Sequence, residues 1–146
     1  MNRIGVTLAA LALTTPALAD PCKAIPDRGP TPAYLSKGRT FSGPVVYVGD
    51  GDSLCVDAGP TRANSAQVRG SSWVEVRIAD FYAPELHGPG GKEAKQALER
   101  IAFSKRAVCT AQHRSYDRIV AVCRIGGVSI GELMRRERIS EGGNGR

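Results

Sequence analysis

The sequence contains no CxxC pair, and its two histidines, His87 and His113, stand far apart. Structural zinc sites draw on cysteine and histidine at close, regular spacing, so this scarcity argues against one. Beyond residue 19 no apolar run is long enough to cross a bilayer. No internal repeat is present, which excludes a solenoid or a propeller. Residues 20–39 also lack any apolar period and are rich in proline and glycine. They read as an extended arm or linker, held only if Cys22 is bonded.

What is present begins with residues 1–19. One charge, Arg3, precedes an apolar run from Ile4 to Leu13, and the segment closes with Ala17-Leu18-Ala19. A charged start, a short apolar stretch and a small-x-small end describe a secretory signal. The mature chain is expected to start near Asp20 and to be periplasmic or secreted. Removing residues 1–19 takes away only Arg3, so the remaining chain carries +5, one less than the +6 of the whole. A small basic exported protein tends to meet polyanions such as nucleic acid, acidic polymers or lipid head groups. A monomer is expected. Four cysteines remain, Cys22, Cys55, Cys109 and Cys123. In an oxidising compartment an even set predicts two disulfides.

Periodicity sets the elements. Residues 40–49 and 53–58 read as strands joined by the turn former Asp50-Gly51, with Pro44 marking an edge or bulge. Residues 59–72 are small and polar, a surface loop. Val74, Val76 and Ile78 alternate with polar neighbours in a third strand over 73–80. Pro84 then forces a corner. Ala94, Ala97, Leu98, Ile101 and Ala102 share one face of a helix over 91–104. Residues 106–111 and 118–125 are two more strands. If Arg114 pairs with Arg118 across Ser115-Tyr116-Asp117, Cys109 falls opposite Cys123, close enough for a disulfide. Cys22 would then join Cys55, tying the arm to the outer side of the second strand. Gly126-Gly127 ends the last strand. Ser129 and Glu132 form a capping box for a helix to about residue 138, with a frayed tail over 141–146. The order predicts a β-rich α+β domain over residues 40–140: a five-stranded OB-fold barrel with two helices.

Three short stretches carry candidate chemistry. Arg77 lies mid-strand and Glu85 just past the proline corner. A guanidinium grips phosphate oxygens with paired donors, and a carboxylate takes a proton from water. Asp50-Gly51-Asp52-Ser53 places two carboxylates on one turn, a donor type suited to calcium. Tyr116-Asp117-Arg118 leads into the last long strand. His87 sits in the loop after Glu85 and reads as solvated, His113 has no assigned role, and Trp73 reads as core. Arg135, Arg136 and Arg138 read as a solvated helix face.

Together these stretches resemble the staphylococcal nuclease family, whose pattern is an Asp-Gly-Asp-Thr turn, an arginine, Asp-x-Pro-Glu, and Tyr-Gly-Arg. The resemblance runs from Thr40 to about Ser140. It implies an OB-fold nuclease that hydrolyses DNA or RNA phosphodiesters with calcium. By position, Arg77 and Arg118 match the phosphate-binding arginines, Glu85 the general base, Asp52 a calcium ligand and Tyr116 a nucleotide-site tyrosine.

The departures are specific. Tyr82 stands where that family has its second metal-binding aspartate, and is expected to bind substrate instead. Asp80, three residues from Arg77, points to the opposite strand face unless a bulge intervenes. Ala83 replaces a threonine, and Asp117 replaces the glycine of Tyr-Gly-Arg. The chain ends at Arg146, where the family's third helix would follow; two disulfides are expected to substitute for that packing. The reading is an exported nuclease. Its rivals are a catalytically weakened OB-fold module that binds nucleic acid or another polyanion, and an envelope interaction protein that keeps only the fold.

Overall fold

The computed structural model describes residues 21–26, 28–59 and 72–142. The expected signal segment, and all but the ends of the loop expected over 59–72, lie outside them.

Five strands close into a barrel. β1 (Thr40–Val48), β2 (Ser53–Asp57) and β3 (Trp73–Ile78) form an antiparallel meander. β4 (Arg106–Ser115) and β5 (Arg118–Ile125) form a hairpin. β4 pairs antiparallel with β1, and β5 pairs parallel with β3, which closes the ring. This is the expected OB-like α+β architecture. A short β6 (Val128–Ser129) adds to β5 after the Gly126-Gly127 turn. Helix α1 (Gly91–Ala102) and helix α2 (Ile130–Arg136) complete the fold.

The alternating apolar residues point inward as their period requires. Val74, Val76 and Ile78 are buried, as are Ala94, Ala97, Leu98, Ile101 and Ala102 on one face of α1. The Ser129 hydroxyl caps α2 by accepting from the Glu132 amide at 3.2 Å. Trp73 departs from the expectation: it opens β3 only half-buried, outside the buried core.

Both disulfides form with the expected pairing, Cys22–Cys55 and Cys109–Cys123. The local geometry around the second differs from the expected one. β4 runs to Ser115, which pairs directly with Arg118, so only Tyr116 and Asp117 make the turn. A bulge between Ala111 and His113 shifts the register by one residue, and Cys109 still meets Cys123. Tyr116, at φ 58, supplies the left-handed residue of this turn. The glycine-like conformation therefore falls on the tyrosine, while Asp117 is not among the positive-φ residues.

The arm is held by more than Cys22. Ala24 N–H donates to the Trp73 carbonyl at 3.1 Å, and Ile25 and Leu35 are buried in the core. Arg114 donates to the carbonyls of Pro26 at 2.6 Å and Gly29 at 2.9 Å. Gly38 N–H donates to the Ala111 carbonyl, and Ala111 N–H to that of Arg39. The arm thus covers the outer face of β2, and Cys55 is as buried as its neighbours Leu54 and Val56. Two residues of the expected tail are also tied down. Glu141 accepts from the Tyr82 amide, and Gly142 N–H donates to the Tyr82 carbonyl.

Candidate functional site

The pairing of β2, β3 and β5 gathers the candidate residues. Ser53 stands opposite Arg77, and the Asp52 carbonyl accepts from Ile78 N–H at 2.8 Å, extending the ladder by one bond. The turn carrying Asp52 is thereby fixed to the strand carrying Arg77. In the parallel pair Val76 stands opposite Ile119, which sets Arg118 at the same end of the barrel. After β3 the chain anchors Phe81 and Ala83 in the interior, and Pro84 delivers Glu85 to the surface.

Gly51 lets the turn approach this corner. A Cβ there would lie 2.5 Å from the Ala83 Cβ and 2.6 Å from the Ala94 Cβ, so only glycine fits between corner and helix. The result is a polar cleft of about 180 Å³ lined by Asp50, Asp52, Arg77, Glu85 and Arg118, with Ala83 and Pro84 as one wall. The sequence-predicted Asp52, Arg77, Glu85 and Arg118 all line this one space. Asp50, the other carboxylate of the turn that the sequence marks as suited to calcium, joins them.

Asp52 is the electrostatic centre. It is 6% exposed, and its Oδ2 accepts from the Ala83 amide at 3.0 Å and lies 3.7 Å from Arg77 Nη2. Asp50 Oδ1 accepts from the Asp52 amide at 3.0 Å. Burial and the neighbouring Asp50 charge push the Asp52 carboxyl up from 3.8 to about 6, against the opposing pull of the Ala83 amide and Arg77. Glu85 is exposed and available to water. Opposite charges therefore share the cleft: two guanidinium groups suited to phosphate oxygens, and carboxylates suited to a proton or a hard cation.

The remaining sequence candidates fall elsewhere. Tyr82 is 38% exposed and does not line the cleft, but its ring centroid lies 6.0 Å from the guanidinium carbon of the cleft residue Arg77. Tyr116, 86% exposed, sits at the tip of the β4–β5 hairpin and is not among the cleft-lining residues. Asp80 does not reach the cleft. It faces α2, where a Cβ on Gly131 would lie 2.6 Å from its Oδ2, and its carbonyl accepts from Arg135. His87 and His113 are exposed, and neither lines the cleft.

The helix-face arginines are more engaged than a solvated face implies. Arg135 bridges the Asp80 carbonyl and Glu141, and Arg136 pairs with Glu132. Sequence reasoning missed Glu141 and Arg114 because their partners, Tyr82 and the arm, are remote in the chain. The presence of two carboxylates on one turn was the signal for Asp50.

The donor chemistry of Asp50 and Asp52 fits calcium, which takes oxygen ligands. Among the described residues, no three His, Cys, Asp or Glu side chains stand close enough together to hold a metal ion. Backbone, water or phosphate oxygens would complete the shell of an ion held by these two residues. No protein-family model matches the chain, and no curated protein matches it.

Proposed function

We propose that the chain is an exported, monomeric nuclease of the staphylococcal nuclease type, hydrolysing phosphodiester bonds of DNA or RNA. The observation that carries this reading is the shared cleft, where Arg77, Arg118, Glu85 and Asp52 line one space from three separate stretches of sequence. A structural ion pair needs one cation and one carboxylate. Two guanidinium groups beside an exposed glutamate match phosphoryl transfer better. The two disulfides suit an oxidising compartment, and no helix among the described residues is long and apolar enough to cross a membrane.

In this reading Arg77 and Arg118 hold the non-bridging oxygens of the scissile phosphate. Asp52 holds Arg77 in place before the reaction, and both guanidinium groups stabilise charge as it builds on those oxygens. Glu85 accepts a proton from a water whose oxygen attacks phosphorus. The bond from phosphorus to the leaving sugar oxygen breaks, and that oxygen takes a proton from solvent. Asp52 orients Arg77 and, with Asp50, would hold calcium, which supplies Lewis-acid stabilisation when bound.

A weakened, binding-only module is the second reading, and one feature favours it. Tyr82 places a neutral ring beside Arg77 where the related pattern has a carboxylate. The two readings separate on cleavage of single-stranded DNA and RNA by the purified chain, with calcium, other divalents or chelator. Arg77→Ala, Arg118→Ala and Glu85→Gln should each lower turnover roughly 10²–10³-fold with the fold intact. Wild-type rates in all three would place the chemistry elsewhere. Tight binding without cleavage would favour the module.

A further inference from the structure

A second cavity, of about 220 Å³, opens beside the cleft and shares Asp50 with it. Leu86, the residue after Glu85, lies in its wall, and Tyr47 and Leu54 supply aromatic and aliphatic surface. The Cys22–Cys55 disulfide forms part of the same wall and fixes it to the arm. Its charged side chains are Asp50 and Glu75, and none of the residues lining it is cationic. The neighbouring cleft shares Asp50 and adds Asp52 and Glu85, and it alone of the two spaces holds guanidinium groups, those of Arg77 and Arg118.

This division of charge has a chemical meaning for a nucleotide. A phosphate is drawn to the two arginines, the only cationic side chains lining either space. A base is uncharged, carries a flat π-face and often an exocyclic amino donor. It suits an aromatic surface flanked by carboxylate acceptors. The proposed nuclease reading gives the arginine cleft to the phosphate. Resting on that reading, we propose that the second cavity is a base subsite, in which Tyr47 stacks on the nucleobase next to the bound phosphate. Asp50 favours bases that bear an amino group. The arm completes the subsite through Cys22, giving the N-terminal disulfide a role in substrate recognition as well as in packing.

The test is a titration of isotopically labelled protein, followed by backbone amide NMR. The ligands are deoxycytidine 5′-monophosphate and 2-deoxyribose 5-phosphate, which differ by the base. The nucleotide should shift the amides of Arg77 and Arg118 together with those of Leu54 and Glu75. The sugar phosphate should shift only the first pair. Tyr47→Ala should weaken the nucleotide roughly ten-fold and leave the sugar phosphate unchanged. Tyr47→Phe, which keeps the ring, should bind as wild type and guards against a folding artefact. Equal affinity of wild type for both ligands, or an unchanged Tyr47→Ala, overturns the base subsite while leaving the phosphate cleft standing. If neither ligand moves Arg77 or Arg118, the nuclease reading falls and takes the subsite with it.

Discussion

Arg77 Nη2 lies 3.7 Å from Oδ2 of Asp52, with the arginine side chain 22% exposed and the aspartate 8% exposed. A nearly buried carboxylate thus faces a guanidinium that still reaches solvent. The pairing leaves Arg77 accessible to a phosphate while fixing its direction, because Asp52 is itself held by the Ala83 amide. The desolvation of Asp52 is only partly offset, and the raised carboxyl follows from that.

The first prediction concerns stability against pH. The folded-state value of about 6 lies above the ordinary 3.8, so the folded protein binds this proton more tightly than the unfolded chain. The resulting stabilisation is fully present below the ordinary value and is lost as pH rises through about 6. Its size is on the order of 3 kcal/mol. Asn at this position still offers an oxygen to the Ala83 amide but does not titrate. Urea unfolding of wild type and Asp52→Asn in chelator, from pH 4 to about pH 7.5, should show the wild type gaining on the variant toward acid. A constant difference across that range would mean that the carboxyl is not shifted.

The second prediction concerns Tyr82. Its ring adjoins Arg77, and its backbone is clasped on both polar groups by Glu141 and Gly142. The position is therefore fixed by the main chain, and a new side chain there will stay at the edge of the cleft. Tyr82→Asp should add a carboxylate to the Asp50 and Asp52 pair, tighten calcium binding and raise calcium-dependent cleavage. Affinity for this ion follows the number of charged oxygens. Calorimetric calcium titration and cleavage rate against calcium, measured on both proteins, decide it. Identical curves would show that Tyr82 costs the site nothing.

The third prediction concerns the loop that presents Glu85. Gly88 N–H donates to the Glu85 carbonyl at 2.8 Å, and Gly91 opens α1 directly against the same group. A Cβ at Gly91 would lie 2.0 Å from that carbonyl oxygen and 2.8 Å from the Leu86 Cα, both backbone atoms that cannot turn aside. Gly91→Ala must move the loop, the helix start, or both. It should lower thermal stability, by roughly 1–3 kcal/mol as an overpacking change, and reduce turnover through a displaced Glu85. Far-UV circular dichroism with a melting curve, beside a cleavage assay, tests both. A variant with wild-type melting and wild-type rate would show that the loop adjusts freely.

The five barrel strands, both α-helices and the disulfide pairing are legible in local sequence pattern, whereas the short β6 is not. Val74, Val76 and Ile78 have a strand period, and Ala94, Ala97, Leu98 and Ile101 have a helical one. Such periods report which side of an element is apolar, independent of what covers it. Asp50-Gly51 and Ser129 with Glu132 marked a turn and a cap, because both act within a few residues. Cys109 and Cys123 lay on one hairpin, where counting residues nearly suffices. The count assumed a three-residue turn, while the chain uses two residues and a bulge.

What meets across the barrel follows from its closure. The parallel β3–β5 pairing sets Arg118 near Arg77, and strand period carries no information about a neighbour about forty residues away. Asp80 shows the same limit: alternation turned it from Arg77, but its contact with α2 depended on how that helix packs. The arm is the clearest case. Residues with no apolar period still bury Ile25 and Leu35 and cover Cys55, because isolated side chains and backbone hydrogen bonds suffice to hold a segment already tied by a disulfide. The second cavity depends on that cover. No sequence pattern unites Cys22, Tyr47, Glu75 and Leu86; closing the barrel does.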